Sequence, residues 1–117
     1  MVASKFDFWK PDRKGFEKLL SESFTEYKGM LFRKSLFKTE EVDRRLHTVS
    51  SMQVQRELNH EPLILLGVDV DAQRKWAEEL EKAWQRKFEA EFPHLTVTFN
   101  RDDTGKEIIV TFWAVRK

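Results

Sequence analysis

One short segment of the sequence combines the two residue types that commonly bind nucleic acid. Between Lys28 and Lys38 the chain carries four cations and two phenylalanines with no acidic residue, and two arginines follow soon after. Because cations neutralise phosphates and aromatic rings stack on exposed bases, this segment is a candidate nucleic-acid-binding site. An amphipathic helix that buries the apolar residues and solvates the cations explains the same pattern without a ligand, and is the simpler interpretation. The candidate cations are Lys28, Arg33, Lys34, Lys38, Arg44 and Arg45.

Two pairs of aspartates are candidates for acid–base chemistry or for binding a divalent cation. Asp69 and Asp71 follow an apolar run directly, and carboxylates in such a place can hold a metal ion or transfer protons. Helix capping explains this pair better, because Asp is a strong N-cap residue and favours the first turn of a helix. Asp102 and Asp103 precede Thr-Gly, which is typical of a tight turn.

Histidine and cysteine give little support for a catalytic or metal site. His47, His60 and His94 are scattered, and none has a second histidine four residues away. The chain has no cysteine, which excludes a disulfide, a thiolate zinc site and a cysteine nucleophile. We therefore expect no catalytic residue, no metal and no cofactor. A small enzyme, with a pocket built from Asp69, Asp71 or a histidine, is the weakest of three functional hypotheses.

Length and composition indicate an ordinary globular domain. The 117 residues are 40% hydrophobic and 35% charged, with a net charge of +1, so no global field attracts the chain to nucleic acid or to an acidic surface. No stretch approaches the ~20 apolar residues of a membrane-spanning helix, and the first residues do not form a signal peptide. We expect a single domain over residues 1–117, no membrane insertion and a cytoplasmic location.

The second half of the chain has the clearer pattern of secondary structure. After Pro62 the sequence predicts a strand over residues 63–68, an amphipathic helix over 72–88, and two strands over 95–99 and 107–115 joined by a tight turn. Residues 95–99 alternate between apolar and polar, as in an edge strand, whereas residues 107–115 are apolar on both faces. The simplest sheet therefore places the last strand in the middle, antiparallel to both neighbours and covered by helices on both faces.

The first half is predicted to be helical from residue 11 to residue 59. A helix beginning at Pro11 carries apolar residues at helical spacing, and a second helix begins with Thr39 as its N-cap. Residues 30–37, for which we favour helix, and residues 48–55 fit either helix or strand. Residues 1–10 form an extra strand or an arm. The fold class is α+β: two N-terminal helices, then a β-α-β-β unit (residues 60–117) with a small, mainly antiparallel sheet.

The aromatic content points to an interface. Ten Phe and four Trp suit a small core of bulky side chains, but Phe6, Phe8 and Trp9, together with the apolar outer face of the C-terminal strand, are more than one small domain is expected to bury. Surplus apolar surface commonly marks a protein–protein contact. We therefore expect a non-catalytic binding or adaptor domain that acts through a protein interface, with a homodimer as the simplest state. Nucleic-acid binding through Lys28–Lys38 is the alternative. The candidate interface residues are Phe6, Phe8, Trp9, Phe32, Phe37 and Trp113.

Overall fold

The computed structural model describes residues 11–117, so the predictions for Phe6, Phe8 and Trp9 and for residues 1–10 as a strand or arm lie outside the described residues. Helices and strands alternate irregularly along this part of the chain. In order, they are α1 (Arg13–Leu20), β1 (Phe24–Tyr27), β2 (Met30–Arg33), α2 (Thr39–Leu46), α3 (Ser51–Leu58), β3 (Glu61–Pro62), a 3₁₀-helix (Leu63–Leu66), α4 (Val70–Glu91), β4 (Leu95–Asp103) and β5 (Ile108–Arg116).

The last strand is central in the sheet of the second half, although one of its two neighbours is not the predicted strand 63–68. Strand β5 lies between β3 and β4 and is antiparallel to both. The turn between β4 and β5 contains Gly105 with a φ of 81°, as the Asp-Asp-Thr-Gly sequence predicts. Asp69 caps α4 by accepting a hydrogen bond from the Ala72 amide, and Asp71 lies in the first turn. The α+β class with a small antiparallel sheet is confirmed.

The prediction of helix from residue 11 onwards, with helix favoured for residues 30–37, is wrong for residues 21–37. Helix α1 ends at Leu20, and strands β1 and β2 form a separate two-stranded hairpin. Lys28 and Gly29, at the turn of this hairpin, have φ values of 54° and 79°. A turn with two positive φ angles matches the twist of a β-hairpin and is incompatible with a helix. Residues 51–58 form a helix that residues 47–50 separate from α2, so in the described part of the chain three helices precede β3 rather than the predicted two. The N-cap of α2 is Lys38 rather than Thr39, with no side-chain cap.

The apolar run Leu63–Leu66 is not a strand either. It forms a 3₁₀-helix in which Leu63 and Leu66 are buried and the two residues between them are exposed. Gly67, with a φ of 73°, ends it in the left-handed conformation that glycine adopts readily. The strand that pairs with β5 is the preceding pair of residues, Glu61–Pro62. The β-α-β-β unit is therefore present with a first strand of two residues.

The main core lies between α4 and the inner face of β5. Trp84 and Phe88 of α4 are buried against Phe112, with ring centroids 5.5 and 5.2 Å apart. Phe24 of the hairpin meets all three rings edge-on. The indole N–H of Trp84 donates a 2.7 Å hydrogen bond to the carbonyl oxygen of Leu19, which ties α1 to this core. Burial of these large rings provides much of the hydrophobic stabilisation.

Two buried amide side chains join the hairpin to the three-stranded sheet. The Oε1 atom of Gln55 accepts hydrogen bonds from the amides of Leu31 (3.0 Å) and Ala114 (2.7 Å). One helical turn later, the Nδ2 atom of Asn59 donates to the carbonyl oxygens of Leu31 (2.8 Å) and Phe112 (3.2 Å). These amides take the place of a backbone ladder between β2 and β5 and satisfy polar groups that burial would otherwise leave unpaired.

None of the helices within residues 11–117 combines the length and the apolar character needed to cross a membrane.

Candidate protein-binding surface

Arg33 is not available as a phosphate ligand. Its side chain is only 8% exposed and pairs with two carboxylates, those of Glu22 at 3.3 Å and Glu61 at 2.8 Å. Its guanidinium group also lies 5.7 Å from the centre of the Trp84 ring. The inclusion of Arg33 in a solvent-facing basic patch is therefore corrected: burial removes it from the surface, and its charge is balanced within the fold.

Three more of the six candidate cations have acidic partners. Lys28 pairs with Asp43 at 3.0 Å. Arg44 and Arg45 both pair with Glu41, and Arg45 also reaches Glu57 at 2.6 Å. The remaining candidates, Lys34 and Lys38, are exposed. Because nearby carboxylates offset most of the positive charge, the described residues do not gather the candidate cations into a strongly basic surface.

The Tyr27–Lys28–Asp43 contact gives a testable pH dependence. Hydrogen bonds from Tyr27 and from Lys28 hold the pKa of Asp43 below its ordinary value of 3.8. A carboxyl whose pKa is lower in the folded state stabilises the protein above its unfolded pKa, and this contribution is lost as the pH falls through the folded pKa. We expect Asp43→Asn to lower the melting temperature slightly at pH 6. The difference from the wild type should vanish once the pH is below the folded pKa of Asp43. A difference that stays constant from pH 6 to pH 2 would contradict this assignment.

The predicted interface aromatics have different positions. Phe32 is 1% exposed and belongs to a small core with Met30, Val42 and Val54, so its assignment to an interface is corrected. Phe37 is half-buried and its ring packs against that of Phe32 at a centroid distance of 5.4 Å. Both rings thus serve the packing of the hairpin on α2 and α3.

The carboxylates and histidines considered for catalysis have structural contacts. Asp71 and Asp103 both pair with Arg74, at 2.7 Å each, and link the start of α4 to the end of β4. His60 contacts the carbonyl oxygen of Glu57, and His94 contacts the carboxylate of Glu26. Asp69 borders a shallow depression of about 430 Å³, but its carboxylate caps α4 and the other lining residues carry no acid, base or nucleophile. These are Pro11, Gly67, Val68 and Ala72.

The face of the three-stranded sheet that points away from α4, which we call the outer face, carries an apolar strip. Strand β5 contributes Ile109 and Trp113, both half-buried, and Val115, which is 55% exposed. Thr98 and Thr96 of β4 lie opposite Trp113 and Val115, and their side chains are exposed on the same face. The prediction that helices cover both faces of β5 is therefore correct for the inner face. On the outer face α3 covers only part of the strand, since Thr111 is 8% exposed whereas Val115 is 55% exposed.

Helix α3 forms one side of this strip. The guanidinium group of Arg56 lies over the ring of Trp113, 5.1 Å from its centre, which is the geometry of a cation–π contact. Met52, one helical turn earlier, lies on the same side of α3 and is 44% exposed. The resulting apolar surface consists of Trp113, Val115 and Met52, and the cationic side chain of Arg56 lies beside it.

Sequence reasoning identified Trp113 but missed Met52, Arg56 and Val115. Met52 and Arg56 lie four residues apart, a spacing that places two side chains on one side of a helix. That signal was present, but residues 48–55 fitted either helix or strand. Val115 was assigned to a covered strand because hydropathy does not show which face lacks a neighbour.

No protein-family model matches this chain, and neither the curated proteins nor the solved structures include one with significant similarity to it.

Proposed function

We propose that the protein is a small non-catalytic binding domain that acts through a protein–protein interface on the outer face of its sheet. The observation that carries this proposal is the contrast between the two faces of β5. On the inner face Ile108, Val110 and Phe112 are fully buried. On the outer face Thr111 is buried, but Trp113 is only half-buried and Val115 is more than half exposed. A neighbouring apolar surface from another protein would remove this strip from water.

The chemistry of the strip defines the partner that would fit it. Trp113 supplies a large ring, and Trp and Arg are the residue types enriched at binding hot spots. Among the described residues, no carboxylate pairs with Arg56, so an acidic side chain on the partner would meet a cation there. We therefore propose a protein partner with an apolar surface and a carboxylate at its rim. The absence of cysteine suits a reducing compartment, and we propose a cytoplasmic location.

Substitutions on the outer face should separate binding from folding. Because Val115 and Met52 are largely exposed, we expect Val115→Asp and Met52→Asp to change the free energy of unfolding by no more than about 0.5 kcal/mol, the usual range for surface positions. Both should abolish capture of a protein partner by the tagged full-length chain. Val115→Asp places a carboxylate in the apolar part of the interface, and Met52→Asp places one beside Arg56, where it would pair with the cation that is expected to meet the partner's carboxylate.

Leu65 offers a matched control. It is an exposed apolar residue, 74% accessible, but lies on the 3₁₀-helix rather than on the outer face. Leu65→Asp should retain the partner that Val115→Asp loses. Equal capture by both variants, each with a normal unfolding transition, would exclude the outer face as the binding surface.

A further inference from the structure

The three-stranded sheet has two very different edges. Strand β3, at one edge, is two residues long and includes Pro62, and short strands and proline are the usual means by which proteins protect an edge. Strand β4, at the other edge, is nine residues long, contains no proline and pairs with β5 in an unbroken register without a bulge. Among residues 11–117, no strand pairs with the outer edge of β4.

The backbone groups on this edge can be assigned from the hydrogen bonds that bracket the hairpin. The amide of Lys117 donates to the carbonyl of His94, and the amide of Thr104 donates to that of Glu107. Since hydrogen-bonded and non-hydrogen-bonded pairs alternate along an antiparallel ladder, the even-numbered residues of β4 bond to β5. The N–H and C=O groups of the odd-numbered residues therefore point away from the sheet. These are Leu95, Val97, Phe99, Arg101 and Asp103.

A groove runs beside this edge, between β4 and α4. It consists of two adjoining depressions of about 320 and 400 Å³, and Gln85 borders both. Val97 and Phe99 form its half-buried apolar floor, while Lys82 and Arg86 of α4 line the wall. An added strand would thus find both hydrogen-bonding groups and apolar surface along β4.

We propose that this edge pairs with β4 of a second copy of the chain, antiparallel and with a two-fold axis through Thr98. In this register Val97 of each copy, whose backbone groups point to the open edge, lies opposite Phe99 of the other copy. The two apolar residues of the groove floor therefore meet across the axis. At each end, the imidazole of His94, which also contacts Glu26 of its own chain, lies opposite the carboxylate of Asp102. The result is a continuous six-stranded sheet.

The charges of α4 are self-complementary about the same axis. Gln85 lies beside both Val97 and Phe99, so the axis through Thr98 passes close to this part of the helix. Two antiparallel copies of α4 centred between Gln85 and Arg86 place Lys82 of one helix opposite Glu89 of the other, twice per dimer, and Arg86 opposite Gln85. Within one chain Lys82 pairs with Glu78 at 3.1 Å and Glu89 accepts a hydrogen bond from Gln85 at 2.9 Å, so each contact would extend an exposed pair that already exists. A heterologous strand would have no reason to match this pattern, and a second copy matches it by symmetry. This inference uses a surface different from the outer face and goes beyond the proposed function.

The absence of cysteine provides a direct test with the full-length chain. Thr98 would face its symmetry mate as a non-hydrogen-bonded pair, about 4.5 Å apart at the Cα atoms, a distance that a disulfide spans. We expect Thr98→Cys to form a covalent dimer under mild oxidation roughly ten times faster than Thr96→Cys, which lies two residues from the axis on the same exposed face. A mixture of Thr96→Cys and Asn100→Cys should cross-link more readily than either variant alone, because these positions are opposite each other in the proposed register.

Charge reversal on α4 gives an independent test by sedimentation equilibrium. The wild type should approach twice its 14.0 kDa mass with rising concentration. Lys82→Glu and Glu89→Lys should each weaken the dimer by roughly tenfold, as expected for two exposed pairs turned from attraction to repulsion. An equimolar mixture of the two variants should restore the wild-type affinity, because it re-creates opposite charges at both contacts.

Two results would overturn the inference. One is a wild-type mass of 14.0 kDa at concentrations up to about 500 µM, far above a micromolar dissociation constant. The other is equal cross-linking of Thr98→Cys and Thr96→Cys, which indicates random collision. Neither result affects the proposal of protein binding through the outer face. If Val115→Asp loses the partner but keeps the dimer mass, the result supports both that proposal and the pairing of two copies along β4.

Discussion

Replacing Gln55 by leucine will destabilise the protein by about 3–5 kcal/mol. The substitution removes the acceptor for the amides of Leu31 and Ala114 and the donor to the carbonyl oxygen of Ala114, all of them buried. Each buried polar group left without a partner costs about 1–3 kcal/mol, and the leucine side chain has no hydrogen-bond donor or acceptor to replace the amide. Because Gln55 connects β2 to β5, the loss also weakens the attachment of the hairpin to the sheet.

Denaturant unfolding measures this effect, and Gln53 provides the control. Gln53 lies on the same helix but is exposed, so Gln53→Leu should change the free energy of unfolding by less than about 0.5 kcal/mol. Amide hydrogen exchange adds a local readout, since the amides of Leu31 and Ala114 should lose protection in the Gln55 variant. A loss below about 1 kcal/mol for Gln55→Leu would mean that a backbone ladder or water replaces the amide.

Replacing Arg33 by methionine will destabilise the protein by about 3–5 kcal/mol, the usual cost of removing one member of a buried ion pair. The carboxylates of Glu22 and Glu61 are 10% and 16% exposed, and Arg33 is the cation that balances both. Without it, two negative charges face each other in a poorly solvated site. Their mutual repulsion adds to the cost of desolvation.

A compensating variant tests this reason. The triple change Glu22→Gln, Arg33→Met and Glu61→Gln removes all three charges, and it should recover most of the stability lost in Arg33→Met. For comparison, Arg74→Met breaks a pair whose members are 41% and 38% exposed, and it should cost no more than about 1 kcal/mol. If Arg33→Met and Arg74→Met have equal effects on chemical denaturation, the charge cluster at Arg33 is not buried as described.

Periodicity predicted the second half of the chain well because each of its long elements has one dominant repeat. Helix α4 carries Trp76, Leu80, Trp84 and Phe88 at steps of four. The charged residues halfway between them, at positions 78, 82 and 86, would share that face in a strand and so exclude the alternation of a half-buried strand. Strand β4 alternates strictly over Leu95–Phe99, and the Thr-Gly sequence fixes its turn. Sheet order followed from topology, since the more apolar strand must be central.

The hairpin was missed because its strands are only four residues long. Phe24, Tyr27 and Leu31 are spaced by three and four residues, so they imitate a helical stripe over this short distance. Lys28 has the left-handed backbone conformation in which Asn or Gly is usually found, so a lysine at this position did not predict a turn. Here packing of β2 between the two cores outweighs local preference.

The candidate sites depended on contacts between residues distant in sequence. The cations of Lys28–Lys38 formed a basic segment in sequence, but Glu22 and Glu61, which neutralise Arg33, lie 11 and 28 residues away. The partly uncovered outer face could not be predicted because hydropathy shows that β5 is apolar without showing where a covering helix ends. Gln55 and Asn59 are polar residues at an i,i+4 spacing beside apolar Val54 and Leu58, which in retrospect was a signal of buried amides.

Site-specific photo-cross-linking in the cells that produce the protein tests the central claim, protein binding through the outer face, most directly. A photo-reactive phenylalanine analogue is placed at position 115 in one full-length chain and at position 65 in another. Both positions are exposed, but only the first lies on the outer face. If the protein binds its partner through the outer face, we expect one dominant protein adduct from position 115 that is absent from position 65 and disappears when Met52→Asp is added. The same adducts from both positions, or none from position 115, would contradict it.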